Sequence, residues 1–341
     1  MRLGRCMQIG LLAVSMTMTA GVAHAVSVNR TTEVSAQDVK RVITSYQVQH
    51  RVAALSVLYV NSDFWSLEFN LSLLSALPQE AVRASLVDYA ITHQALDQAK
   101  ADWLQEQAER KPMFSIIEQG DGYMVTRSAF RYGAKARGLV LRWQQILLAQ
   151  AMTAQAEQGE LVLSQWLAGD LSAQTARRDI FLSQLPQLSE SAVAQLAEQF
   201  ISDRKLMWQP DNAVLAALAA ASGREDVYHL LWRRRSDQYS LAELNRLTSL
   251  APQPMAIEQL MAATINPSLK RQAYRALISF PSLPMAIHDF LKGKLNEVDD
   301  GQIVATELAR SHHRDWLELW AASSHNPVLK NNVSIAMAPS P

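Results

Sequence analysis

From Ser35 onward, apolar residues recur at the three- and four-residue spacing of helices packed by one side. Val39, Val42, Ile43, Tyr46, Val52, Ala53 and Leu55 outline the inner side of a first helix running to about Val60. Ser35, with Asp38 three residues on, supplies its start signal. Asn61-Ser62-Asp63 breaks that helix and caps a second over Phe64 to Leu77, and Pro78 opens a third over Gln79 to about Glu109. The pattern then changes. Phe114 to Arg127 carries β-branched and aromatic residues on both sides of Gly120-Asp121-Gly122, which predicts a β-hairpin with a tight turn. Its apolar residues Phe114, Ile116, Tyr123 and Val125 are expected to lie against helices, because an isolated hairpin is marginal.

A long helix is predicted over about 135–158, and from Glu160 the elements shorten. Helices are expected near 160–168, 172–185, 189–202, 210–221, 224–235, 240–250, 252–264, 267–279, 283–294, 299–311, 313–323 and 327–337. Prolines 186, 210, 252, 254, 267, 281, 284 and 327 fall between them or in their first turns, where proline is tolerated. Beyond residue 170 the only glycines are Gly223, Gly293 and Gly301, so the composition favours helix throughout.

One stretch recurs. Asn266 to Phe280, NPSLKRQAYRALISF, returns about sixty residues later from Asn326 as NPVLKNNVSIAM, and the lead-ins LMAATI and LWAASSH also match. Within it Leu269-Lys270, Ala273 and Ala276-Leu277 resemble the second helix of a HEAT repeat. Leu329-Lys330, Val333 and Ala336-Met337 match in part, and Val82-Arg83 with Leu86 and Ala176-Arg177 with Ile180 match less. Asn266 and Asn326 stand where that family carries an aspartate. The resemblance implies an α-solenoid that binds other macromolecules. The expected fold is therefore all-α: a superhelical array of antiparallel helix pairs with a small β-hairpin insertion near 114–127. The expected divisions are a signal peptide at 1–25, an N-terminal helical block at 26–110, the hairpin insertion at 111–134, the repeat array at 135–337 and a tail at 338–341. Val26 to Val34 reads as a loose mature N-terminus.

The first residues change the picture of where the chain works. Arg2 and Arg5 precede an uncharged apolar run from Met7 to Ala20, and Ala23-His24-Ala25 is an A-x-A cleavage site. The run is too short for a membrane span, and no later stretch is apolar enough for one. The signal has bacterial character, so the expected address is the periplasm. Cys6 is the only cysteine, so the mature chain would have neither disulfides nor cysteine-held metal. The chain carries 32 basic and 32 acidic residues; loss of Arg2 and Arg5 leaves about −2, a balance that suggests neither nucleic acid nor an anionic membrane as partner.

No cofactor or metal is expected. None of the seven later histidines stands at zinc-ligand spacing, and adjacent His312 and His313 read as a polar helix junction with Asp315 near enough to orient His312. No nucleophile elbow or phosphate loop is present. Glu118 and Asp121 flank the hairpin turn; they could serve a glycan hydrolase as paired carboxylates, or contact a partner, although Asp121 before glycine also satisfies a tight turn. Trp232-Arg233-Arg234-Arg235 is the densest positive run, either an anion or partner contact or a basic helix end with Trp232 inward and the arginines in water. Trp316 and Trp320, four apart, read as packing between helices. The favoured function is a periplasmic protein-binding or scaffold module for another envelope protein, with an envelope enzyme such as a glycan hydrolase near the hairpin as the rival. Cleavage is expected between Ala25 and Val26; N-terminal sequencing of the periplasmic protein checks it, and an intact N-terminus or a lipid on Cys6 contradicts it.

Overall fold

The computed structural model describes residues 31–119 and 123–338. The described residues hold eighteen α-helices and three short strands, a mostly α fold with a small β insertion. The chain divides into two compact units, one up to Val140 and one from Leu141.

The first unit contains β1 (Thr32–Glu33), α1 (Ala36–Ile43), α2 (Tyr46–Val60), α3 (Phe64–Ser72), α4 (Ala76–His93), α5 (Gln98–Glu109), β2 (Phe114–Gln119), β3 (Met124–Ser128) and the start of α6 (Tyr132–Glu157). Ser35 caps α1 as expected, accepting from the Asp38 N–H at 3.0 Å. Two predicted long helices are each broken. Ser45 turns extended after Thr44 and caps α2 through the Val48 N–H. Gln94 enters the left-handed region at φ 48° and Asp97 caps α5. Both breaks lack glycine and proline; the competing force is a side-chain oxygen that offers the next helix a better start. The hairpin is present, with Ser115 opposite Ser128 and Gln119 opposite Met124. It is one part of a three-stranded sheet, because β1 pairs parallel to β2, Thr32 against Phe114. Residues 32–34, expected to be loose, are therefore tied down: Thr32 N–H donates to the Met113 carbonyl and Val34 N–H to that of Ser115, both at 2.9 Å. Phe114 packs on the helical core and Ile116 and Val125 are half-buried, but Tyr123 is exposed.

An aromatic cluster of Tyr59, Phe64 and Trp103 sits in this core, with Phe64 stacked on Trp103 at 5.7 Å. Glu68 ties it to buried Arg83, which gives two 2.6 Å hydrogen bonds, and accepts from Trp103 Nε1 at 2.8 Å.

The second unit takes the rest of α6 and continues with α7 (Leu163–Trp166), α8 (Leu171–Gln184), α9 (Glu190–Ser202), α10 (Ala213–Ser222), α11 (Glu225–Arg233), α12 (Gln238–Leu250), α13 (Pro254–Ala263), α14 (Lys270–Ile278), α15 (Met285–Leu295), α16 (Val298–Ala309), α17 (Arg314–Ser323) and α18 (Pro327–Met337). Most predicted bounds hold within about three residues. A 3-10 turn at Arg204–Trp208 went unread, and α7 is shorter than expected, bounded by Gly159 and Gly169 at positive φ. The runs α9–α10–α11, α12–α13–α14 and α15–α16 each pack on their sequence neighbours, and α10, α12, α14, α16 and α18 also contact in succession, as do α9, α11, α13 and α15. The result is neighbouring pairs in two layers over one continuous apolar core. Ala273 and Leu277 are fully buried in it.

Lys270 departs from expectation. Its repeat position suggests an ammonium in water, yet it binds buried Asp300, which also accepts from Tyr274 Oη at 2.5 Å. Leu277→Ala should therefore cost about 2–5 kcal/mol in chemical denaturation, and Lys270→Ala about 1–3 kcal/mol, because it leaves a buried carboxylate short of a partner. A silent Leu277→Ala would contradict this packing.

Candidate functional site

The basic run closes α11, where four backbone carbonyls lack helical partners. Trp232 is 1% exposed and its indole N–H points at Gln259 Oε1, 3.4 Å away, so it belongs to the core and is withdrawn as a partner contact. Arg234 is not free in water either. Its guanidinium donates to Asn212 Oδ1 (2.6 Å), the Met207 carbonyl (2.6 Å) and the Gln209 carbonyl (2.8 Å). Burial pushes it below the ordinary arginine range, opposed by the charges of Asp237 and Asp211. Asn212 Nδ2 donates to the Arg235 carbonyl at 2.9 Å. From the other side buried Asn266 donates to the carbonyls of Trp232 (2.9 Å) and Arg234 (3.0 Å). The run is a joint between successive helices, and only the Arg233 and Arg235 side chains are exposed.

Asp237 completes that joint. It caps α12 and accepts from the Asn212 N–H at 2.7 Å. Burial alone would raise its pKa, but the N–H groups of Ser240, Asn212 and Tyr239 outweigh it and hold the carboxyl below its ordinary value.

At the hairpin, Glu118 is paired with Arg127 across the strands at 2.8 Å, the diagonal contact expected of residues two apart in register. Asp121 lies outside the described residues, and the expected pairing of the two carboxylates lies outside them with it. His313 and His312 both direct Nε2 at the Phe280 carbonyl, at 2.8 and 3.0 Å, and this contact, not Asp315, orients His312. His313 stacks on Trp316 at 4.7 Å, and Trp320 is buried, so this cluster is helix packing. Among the described residues no three His, Cys, Asp or Glu side chains are grouped to hold a metal ion.

A concavity that sequence reasoning missed lies between α6 and α8 in the second unit. It measures about 930 Å³ and is lined by Arg142, Gln145, Ile146 and Ala149 of α6 and by residues from Leu171 to Ser183 of α8. The α6 residues recur at three and four, which puts them on one face. Ile146, Ala149, Leu171, Ala176 and Ile180 supply an apolar surface, and Leu171 is 71% exposed. Along α8 the lining extends about 18 Å, at 1.5 Å per residue. The hydroxyls of Thr175 and Ser183 are spent on their own helix, on the carbonyls of Leu171 and Ile180. Of the two charged lining residues, Asp179 is held by Arg178 at 2.8 Å, and Arg142 is exposed at the edge. Such a surface offers apolar burial with few hydrogen bonds to satisfy, which suits the side of an amphipathic helix better than a small polar molecule. A sequence signal existed in part: the α6 residues Leu141, Ile146, Leu147 and Leu148 are more apolar than one buried face requires and all are exposed, but only Ile146 of them lines the groove.

Arg234→Ala is expected to destabilise by about 1–3 kcal/mol, and Arg233→Ala to stay within about 0.5 kcal/mol. Because the folded pKa of Asp237 is depressed, its contribution is present above the ordinary value of 3.8 and disappears as pH falls through the folded value. Denaturation of Asp237→Asn should therefore show a deficit at neutral pH that narrows in acid.

No family model, no curated protein and no solved structure matches the chain.

Proposed function

We propose that this protein is an exported, periplasmic helical-repeat module of HEAT-like construction that binds another envelope protein. The open groove between α6 and α8 carries the reading: an apolar channel about 18 Å long, with Arg142 at its edge. Its occupant is an amphipathic helix of the partner, apolar toward Ile146 and Ile180 and bearing an acidic residue toward Arg142. The two-layer packing of neighbouring helices and the recurrence of Asn-Pro-x-Leu-Lys at Asn266 and Asn326 support the repeat assignment, and repeat stacks present extended surfaces of this kind. The A-x-A site ending at Ala25 supports the compartment.

A photoreactive phenylalanine analogue in place of Ile146 or Ala176 tests it in intact cells. Discrete protein adducts at those two positions, and none from exposed Val298, are expected. Adducts with lipid or glycan alone, or none at either groove position, contradict it.

A further inference from the structure

Helix α2 is apolar on two opposite faces. Val48, Val52, Leu55 and Tyr59 turn inward. Tyr46, His50, Ala53, Val57 and Val60 all lie on the exposed side. Tyr46 and Ala53 read from the sequence as inner residues and stand outward because the helix restarts at Ser45. The outer residues follow a four-three-four-three spacing, the rhythm of a seam that packs against another helix. The next helix repeats the arrangement. In α3, Leu67 and Leu71 are buried, while Trp65, Phe69 and the following Leu73 are exposed. Trp65 is 79% exposed and Tyr46 82%. Trp65 and Phe69 stack with rings 5.8 Å apart and 3° from parallel, a preformed aromatic shelf. Tyr46, His50 and Leu73 also border a cavity of about 530 Å³ floored by Val48 and Val82.

We propose that this face is an isologous dimer interface, with α2 of one copy antiparallel to α2 of a second copy. Several observations select that occupant. The five seam residues carry no permanent charge, so identical seams meet without repulsion; exposed Arg51, which also borders the cavity, lies off the seam. Its small residue, Ala53, is central, and larger ones stand seven residues away on each side, so a twofold axis beside Ala53 places Tyr46 against Val60 of the second copy. The same operation brings Trp65, which follows the end of α2, toward the cavity beside Tyr46 and Leu73. An exposed tryptophan seated in a cavity is the usual anchor of such contacts. The exposed side chains of Tyr46, Val57, Val60, Trp65, Phe69 and Leu73 together offer on the order of 700 Å², close to one partner's share of a standard interface.

Sedimentation velocity of the purified protein tests the proposal, with circular dichroism checking the fold of each variant. The parent is expected as a dimer dissociating on dilution. Val57→Glu, at an exposed position, should be monomeric with unchanged helicity, and Trp65→Ala should weaken the dimer by about tenfold or more. With Cys6 removed by processing or replaced by Ser, Ala53→Cys should form a disulfide-linked dimer on mild oxidation, and Leu319→Cys, exposed on α17, should not. A parent that is monomeric at every concentration overturns the proposal. So does a dimer that Val57→Glu leaves intact. A monomer that pellets with phosphatidylglycerol vesicles, and stops doing so on Trp65→Ala, assigns the face to a lipid surface instead and equally overturns it.

Discussion

The second unit depends on how one helix end is finished. α11 stops at Arg233 with carbonyls that no residue of its own helix can satisfy. Buried carbonyls without donors would cost far more than the hydrogen bonds return. Asn212 from the preceding part of the chain and Asn266 from the following part supply the donors, and Arg234 ties its own end back to Met207, Gln209 and Asn212. Three segments remote in sequence are thereby fixed at one point, and α11 packs on α10 and α13 beside it. A motif that looked like surface charge is joinery at Trp232 and Arg234 and surface charge at Arg233 and Arg235.

Asn266 and Asn326 show the same logic with different partners. Asn326 caps α18 through the Val328 N–H and donates to Asn296 Oδ1 at the end of α15. An aspartate at either place could not donate from its ionised side chain, so asparagine suits a stack in which the cap must also reach the preceding layer. Tyr228 with Glu243 and Tyr274 with Asp300 add buried phenol–carboxylate pairs.

Much of the helical order was legible because proline and cap residues mark it locally: Asp170, Ser189 and Asn326 each cap the helix that the pattern placed after them. The errors arose where the deciding contact is distant or subtle. β1 is two residues long and has meaning only beside Phe114. The break at Gln94 has no glycine, and Lys270 could not be read as paired without knowing that Asp300 faces it. The groove was hidden differently. Apolar residues of α6 look like core in a linear pattern, since nothing in their spacing says which of them find partners within the chain. The same ambiguity concealed the two-faced character of α2.

The central claim is that the channel between α6 and α8 receives a protein. Hydrogen exchange of the isolated protein and of its complex with the cross-linked partner tests it most directly. Slowed exchange confined to residues 141–149 and 171–183 is the expected result. Protection of the hairpin strands or the ends of α11, with those two segments unchanged, would contradict it.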